Sequence, residues 1–243
     1  MIAKFNLYDF IANLVPGLTF LWVLERLGKL AGWDSPIPMS GQLAETSVLI
    51  ILSYVTGLML QALAERITEK QILLHFWGGF PSARWLLPND PKFSAAYKQR
   101  ILDLIAERFK VSTDPDLPKH AAPEEQRDLR LKKNQELFYL CYNYVDNLNP
   151  RPQIFNAQYG LFRCLLTTFG LLFALTVSLG AWNYLFQKPT PQAFAIHAAV
   201  FACLTWLSYV RCQKRGEDFA KAIYDLFISG AAKAGSEHST TTS

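Results

Sequence analysis

The chain has 243 residues, of which 51% are hydrophobic and 14% aromatic, and its formal net charge is +4. So small a positive charge does not indicate a protein built to bind nucleic acid. The four cysteines have neither a C-x-x-C nor a Cys/His ligand spacing, which excludes a zinc signature and a disulfide framework. We expect these cysteines to be structural, and we predict no metal site and no cofactor.

The first apolar segment, Phe10 to Leu24, has 15 uncharged residues and contains the pair Pro16-Gly17. It is shorter than the stretch of about 20 residues that usually spans a bilayer. A signal peptide is an alternative, but Asp9 interrupts its start and no A-x-A cleavage site follows. A re-entrant or interfacial segment is another. We predict a short spanning helix that is kinked at Pro16 and Gly17 and packs inside a bundle.

Three longer segments contain no charged residue. They are residues 46–64, 164–186 and 192–210, with 19, 23 and 19 residues. A 19-residue helix is about 28 Å long, which matches the hydrocarbon core of a bilayer. The soluble alternative is a set of fully buried core helices, which is less consistent with three such runs in one short chain. Only residues 187–191 join the last two segments, which predicts a membrane hairpin.

Lysine and arginine indicate the orientation of these helices. Residues 65–163 carry 15 of them and residues 211–243 carry five, whereas residues 25–45 carry two and residues 187–191 carry one. Positive charge is retained on the cytoplasmic side of membrane helices. We therefore expect the N-terminus, the long insert and the C-terminus to lie in the cytoplasm.

The insert is expected to be a small helical domain. The second membrane helix continues into it until Gly78-Gly79, and two further helices follow, one from about Pro91 to Phe109 and one from Pro123 to about Leu148. Asp90 is predicted to cap the first of these two helices. Its apolar residues form one stripe, which is typical of a packed helix: Phe93, Tyr97, Ile101, Leu104, Ile105 and Phe109.

These elements predict an all-α membrane protein with about four transmembrane helices in two pairs and a helical cytoplasmic insert. Residues 1–64 hold the first helix pair and residues 65–163 form the cytoplasmic domain. Residues 164–210 form the second hairpin. Residues 211–243 are a cytoplasmic tail that is partly helical and then disordered.

A charged run on the last insert helix is a candidate site for an anionic partner, either lipid headgroups or a cytosolic nucleotide or oligonucleotide. Its basic residues are Arg127, Arg130, Lys132 and Lys133. The alternative, which we favour, is a solvated helix face with i,i+3 and i,i+4 ion pairs, because acidic residues are interspersed among the basic ones.

Polar residues in the last two apolar segments are candidates for helix contacts or for the wall of a water-filled pathway. They are Thr176, Ser178, Asn183 and His197. For His197 we favour a helix contact over a pore-lining or proton-sensing role. Small residues recur every four positions and would allow close helix approach, within one chain or between subunits: Gly170, Ala174 and Ser178, then Ala195, Ala199 and Cys203. Four helices cannot both pack together and enclose a pore, so conduction would require a homo-oligomer.

No catalytic signature is found. The sequence has no G-x-S-x-G, no H-E-x-x-H, no Walker-type loop and no G-x-G-x-x-G, and its four histidines are scattered. We therefore predict no catalytic residues and expect a protein that is not an enzyme.

Two short stretches and the layout as a whole resemble a group of small bacterial inner-membrane proteins. The stretches are YDFIANLVPG at residues 8–17 and QYGLFRC at residues 158–164. The group includes the Hailong-type anti-phage effectors, channels that a cytosolic oligonucleotide holds closed. The resemblance implies an oligomeric channel-like effector of the inner membrane, gated through its insert by a ligand or partner. It assigns no role to individual residues. The alternative is a non-conducting membrane anchor or scaffold that recruits a cytosolic protein.

Overall fold

The computed structural model describes residues 7–33, 43–114, 122–146, 149, 151–186 and 191–240. Regular secondary structure in these residues is entirely helical, so the predicted all-α class is confirmed. The elements, in chain order, are α1 (Leu7–Ala31), α2 (Leu43–Leu63), a π-helical segment (Ala64–Leu73), α3 (Leu74–Trp77), α4 (Pro81–Arg84), α5 (Ala95–Phe109), α6 (Pro123–Asp146), α7 (Arg151–Leu185) and α8 (Pro191–Thr240).

Four helical stretches of the described residues are long and apolar enough to cross a membrane, as predicted: Phe10–Ala31, Thr46–Arg84, Arg151–Leu185 and Gln192–Gly230. The first has 22 residues, about 33 Å of helix, so it is longer than its uncharged run suggests. It includes Glu25, which is buried and pairs with Lys29 at 2.5 Å. Residues 187–190, most of the predicted hairpin turn, lie outside the described residues.

The chain forms two compact units, each assembled from two stretches of sequence. The first unit comprises Met1–Leu73 and Ala157–Lys214, and the second comprises Leu74–Asn156 and Arg215–Ser243. The boundaries therefore differ from the predicted insert 65–163, because both ends of that insert pack with the apolar helices. Residues 215–240 are helical and are grouped with the second unit.

Helices α1 and α2 cross at two glycines. A Cβ atom on Gly17 would lie 1.8 Å from the backbone oxygen of Ser53, and a Cβ on Gly57 would lie 1.9 Å from the backbone oxygen of Asn13. Glycine at both positions is what allows the two backbones to approach so closely. Helix α1 remains helical through Pro16. The Pro-Gly pair is thus inside a helix, and Gly17 has a packing role.

The core of the first unit is built by α1, α7 and α8. Its buried apolar residues are Val23, Leu27, Ala31, Leu172, Leu179, Phe194 and Phe201. The outer surface of this unit is apolar too, since large side chains such as Ile51, Met59 and Trp206 are 61%, 71% and 64% exposed. Soluble monomers rarely expose extended apolar surface. An apolar core combined with an apolar exterior is typical of membrane helices.

The second unit has a core of the kind found in water-soluble helical domains, built by α5, α6 and the C-terminal part of α8. Every residue of the predicted α5 stripe belongs to it, as do Leu137, Cys141 and Tyr144 of α6. Helix α8 adds three side chains with no exposed surface, Ile223, Tyr224 and Phe227. Burial raises the pKa of Cys141 to about 12. This thiol therefore stays protonated, as expected of a structural cysteine.

Helix α5 begins at Ala95 rather than at Pro91, because the residue that caps it is Ser94. The Ser94 hydroxyl accepts a hydrogen bond from the backbone N–H of Tyr97 at 3.2 Å. Asp90, the predicted cap, instead accepts from the backbone N–H of Lys92 at 2.9 Å and pairs with Arg84 at 3.0 Å. The prediction was wrong because both residues are good caps, and contacts distant in sequence decide between them.

The loop before α5 is organised around a buried lysine. Lys98 Nζ donates to the backbone oxygens of Leu87 and Asp90, both at 2.6 Å, and lies 3.3 Å from that of Pro88. These carbonyl groups would otherwise lack a donor in a partly buried loop. The ammonium group therefore fixes the path of the loop that leads into α5.

We expect Gly17→Ala to destabilise the α1–α2 crossing by about 1–3 kcal/mol, because the added methyl group overlaps the α2 backbone. Gly170→Ala is the matched control: a Cβ there meets nothing within 4 Å. It should leave stability unchanged or raise it by about 0.5–1 kcal/mol. Unfolding in mixed detergent and SDS measures both. Equal stability of the two variants would contradict the crossing.

We expect Lys98→Met to destabilise the second unit by about 1–3 kcal/mol, because it leaves buried carbonyl groups without a donor. Arg100→Met, a change at an exposed neighbour, is the control. Hydrogen–deuterium exchange of the α5 amides should rise for Lys98→Met only. Unchanged exchange would show that Lys98 does not order the loop.

Candidate functional site

The least common element of the fold is the ten-residue π-helical segment Ala64–Leu73. Such helices are rare, usually limited to a single turn, and frequent at functional sites. The segment buries Ala64, Thr68 and Leu73. Nine residues are about two and a half turns of an α-helix, so an α-helix would direct Leu73 away from Ala64. The wider turn brings both residues to the same side of the segment, and both are buried.

A buried ion pair joins this segment to α7. Arg163 Nη1 contacts Glu69 Oε2, and the two side chains are only 12% and 14% exposed. The Arg163 guanidinium also lies over the ring of Tyr159, with Cζ 5.6 Å from the ring centroid. Moving each ion out of water costs several kcal/mol, so removing one partner leaves an uncompensated charge. The pair therefore fixes the register of the segment against α7.

Two hydroxyl groups lie next to the ion pair in sequence, Thr68 one residue before Glu69 and Thr167 one helical turn after Arg163. Thr68 Oγ1 and Thr167 Oγ1 are 2.7 Å apart and buried, and Thr167 Oγ1 donates to the backbone oxygen of Arg163 at 3.1 Å. A hydroxyl group has one proton to donate. Thr68 is therefore the donor to Thr167.

Two glutamines precede the members of the pair in sequence, Gln61 on α2 and Gln158 on α7. Gln61 Nε2 lies 3.6 Å from the position of a Cβ on Gly160, so this amide packs against the α7 backbone. Among the described residues, Gln61 Oε1 and Gln158 Oε1 are buried acceptors with no hydrogen-bond partner. We call Gln61, Thr68, Glu69, Arg163 and Thr167 the polar cluster. A polar cluster among apolar helices favours one helix packing over others and can hold water.

The arrangement is suited to positioning helices rather than to covalent chemistry. Within the described residues, no group of three His, Cys, Asp or Glu side chains could hold a metal ion. The polar cluster has one carboxylate, and that carboxylate is already paired with Arg163. What the geometry can do is couple a change in the π-helical segment to a change in α7.

The polar residues predicted in the apolar segments do not form one surface. Thr176 and Asn183 are buried on the same face of α7 as Leu172 and Leu179, whereas Ser178 is exposed on another face. Thr176 donates to the backbone oxygen of Leu172 at 2.6 Å. Ser178 and His197 also have contacts within their own helices. Ser178 Oγ donates to the backbone oxygen of Ala174 at 2.9 Å, and His197 Nδ1 lies 2.7 Å from that of Ala193.

The four basic residues predicted to bind an anion lie on the first half of α6. Arg127 and Lys132 are exposed, while Arg130 and Lys133 are partly buried. Arg127 Nη2 donates to the backbone oxygen of Gly78 at 2.7 Å, so this guanidinium helps to hold the loop after α3. A positive φ of 64° at Gly78 places that carbonyl group at the end of the preceding helix.

No pattern in the sequence predicts the polar cluster. Arg163 lies in the stretch QYGLFRC that carries the resemblance, and Glu69 lies in the expected extension of the second membrane helix, but neither was assigned a role. The burial of both Ala64 and Leu73, nine residues apart, becomes evident only in the structure.

The chain matches no protein-family model, and no curated protein or solved structure is significantly similar to it.

We expect Glu69→Ala and Arg163→Ala each to destabilise the first unit by about 3–5 kcal/mol, because each leaves the other charge buried and unpaired. The double variant should lose much less than the sum of the two. Glu217→Ala breaks the more exposed pair with Lys92 in the second unit and should cost at most about 1 kcal/mol. Unfolding in mixed detergent and SDS provides the values. Additive losses would argue against the pair.

Proposed function

We propose that the protein is an oligomeric, channel-like effector of the bacterial inner membrane that acts in anti-phage defence. Its helical second unit lies in the cytoplasm with both termini, and a ligand or a partner gates the channel through it. The carrying observation is α8, a single 50-residue helix. Its first part, to Lys214, belongs to the apolar first unit, and its later part supplies Ile223, Tyr224 and Phe227 to the core of the second.

A continuous helix supports gating because it belongs to both units at once. A ligand that binds two arrangements of the second unit with different affinity changes their populations. Helix α7 is shared in the same way, with residues 151–156 in the second unit and residues 157–185 in the first. The ion pair and the hydrogen bond of the polar cluster both join the π-helical segment to α7, so we expect them to form or break together. Such a contact suits an element with two discrete arrangements.

The packing of the first unit supports an oligomer. Leu172, Leu179, Phe194 and Phe201 fill the interior of the described helices, so a conducting path would have to lie between subunits. The small-residue strips remain uncovered in one chain: Ala174, Ser178, Ala195, Ala199 and Cys203 are exposed, and a Cβ at Gly170 meets nothing within 4 Å. Strips of this kind allow helices of neighbouring subunits to approach closely.

The proposal predicts single-channel currents when the purified protein is reconstituted in planar bilayers. Glu69→Ala should change the open fraction, because the variant removes an interaction between the π-helical segment and α7. Glu217→Ala is the control, because it removes an ion pair of the second unit instead. It should conduct as the native chain does. Absence of current from every preparation, together with a monomeric mass in detergent, would overturn the proposal.

The oligomer is tested by placing a large side chain on the small-residue strip. Ala199→Phe should shift the mass of the detergent-solubilised complex toward the monomer, because the strip no longer permits close approach. Ile196→Phe adds a ring at a neighbouring exposed position that is already large, 66% exposed, and should leave the mass unchanged. Multi-angle light scattering measures both. A similar mass for the two variants would place the interface elsewhere.

A membrane anchor or scaffold is the second candidate. Two large aromatic side chains of the second unit are exposed, Phe76 at 73% and Tyr139 at 54%, and aromatic residues are enriched at protein interfaces. A cytosolic protein that co-purifies with the native chain and is lost with Tyr139→Ser would favour this function. Unchanged membrane permeability on overexpression would favour it further.

A further inference from the structure

The ring of Phe155 lies close to two guanidinium groups in the second unit. Arg151 Cζ is 5.7 Å from its centroid and Arg215 Cζ is 5.9 Å from it. Arg151 and Phe155 are four residues apart at the start of α7, while Arg215 comes from α8. The ring therefore lies near guanidinium groups from two different helices, and we call these three residues the arginine pair site.

The positive charge at this site is only partly compensated. Arg215 Nη1 pairs with Asp218 Oδ2 at 3.2 Å, but its Nε is buried and has no hydrogen-bond partner among the described residues. Arg151 is exposed and pairs with no carboxylate in the described part of the chain. The nearby Asp146 accepts from Gln153 at 2.9 Å. Arg215 thus has one carboxylate partner, Arg151 has none among the described residues, and one buried donor lacks an acceptor.

The basic residues of α6 are a weaker candidate for the same role. Arg127 already donates to the backbone oxygen of Gly78, and the acidic residues Glu124, Glu125 and Asp128 lie on the same helix. Of the two groups of basic residues, the arginine pair site has the larger unused capacity to donate hydrogen bonds to an anion.

We propose that the arginine pair site binds a phosphate-bearing anion. Guanidinium groups donate two parallel hydrogen bonds to phosphate oxygens, and an aromatic ring against which they lie holds their planes in place. The phosphate comes either from an anionic phospholipid or from a soluble nucleotide. Arg215 is five residues, about 7.5 Å of helix, beyond Val210 at the end of the apolar run, close to the depth of a lipid headgroup.

This inference names the class of ligand that the second unit would sense, and in that respect it rests on the proposed function. Phosphate binding itself can be measured without any current. A chain that binds the probes but does not conduct would overturn only the channel, and a chain that conducts but does not bind would overturn only the site.

The test is native mass spectrometry of the full chain in detergent, titrated with phosphatidylglycerol, with phosphatidylcholine and, separately, with ATP. We expect phosphatidylglycerol or ATP to bind, and Arg151→Gln/Arg215→Gln to weaken that binding roughly tenfold or more. Arg108→Gln is the matched control, because Arg108 also lies over a ring of the second unit, Tyr144 at 5.1 Å, but without a second arginine. It should bind as the native chain does.

The two probes distinguish the sources of phosphate. Loss of phosphatidylglycerol binding assigns the site to a lipid headgroup, and loss of ATP binding assigns it to a soluble ligand. If the double variant unfolds in a thermal scan, Arg151→Lys/Arg215→Lys keeps the charge, removes the paired donors and should bind several-fold more weakly. Equal binding by the native chain and by every folded variant, or no binding of either anionic probe, would overturn the inference.

Discussion

A charge that is buried among apolar helices has to be paired, and the first unit depends on how Glu69 and Arg163 meet this requirement. Burying either ion alone costs several kcal/mol, comparable to the total stability of many domains. The pair is therefore strongly selective for one register of the π-helical segment against α7. The hydrogen bond between Thr68 and Thr167 selects the same register. Apolar contacts alone, which are less directional, would tolerate several registers.

The two units share helices but differ in which side chains they expose. The first exposes apolar side chains such as Met59 and Trp206, which suits lipid, whereas the second encloses Tyr224 and Phe227 in an aromatic core, which suits water. Helix α8 takes part in both. In the proposed effector, a change in the second unit that displaces α8 would also act on the apolar part of that helix. Anion binding by Arg215, at the boundary of the units in sequence, would act at the same helix.

Local patterns in the sequence predict much of the fold. The four apolar helices and the α5 stripe follow from run length and from the spacing of residues such as Ile101 and Ile105. The polar cluster could not be predicted in this way. Thr68 and Thr167 are 99 residues apart, and no periodicity relates them. The choice of Ser94 over Asp90 as the α5 cap depends on Arg84 and Lys98, which act through the folded loop. Contacts between distant parts of the chain decided the cases in which local preference was ambiguous.

The second unit is discontinuous in sequence, and this has a consequence for how the protein is made. Phe138 of α6 packs on Tyr224 of α8, with ring centroids 5.5 Å apart, and Tyr224 donates to the backbone oxygen of Ser82 at 2.5 Å. During synthesis, α5 and α6 leave the ribosome well before Tyr224 does, and the apolar parts of α7 and α8 come between. The aromatic core therefore cannot close until the apolar parts of both helices have been synthesised. The second unit can therefore be complete only after the apolar helices that precede Tyr224 in the chain have been made.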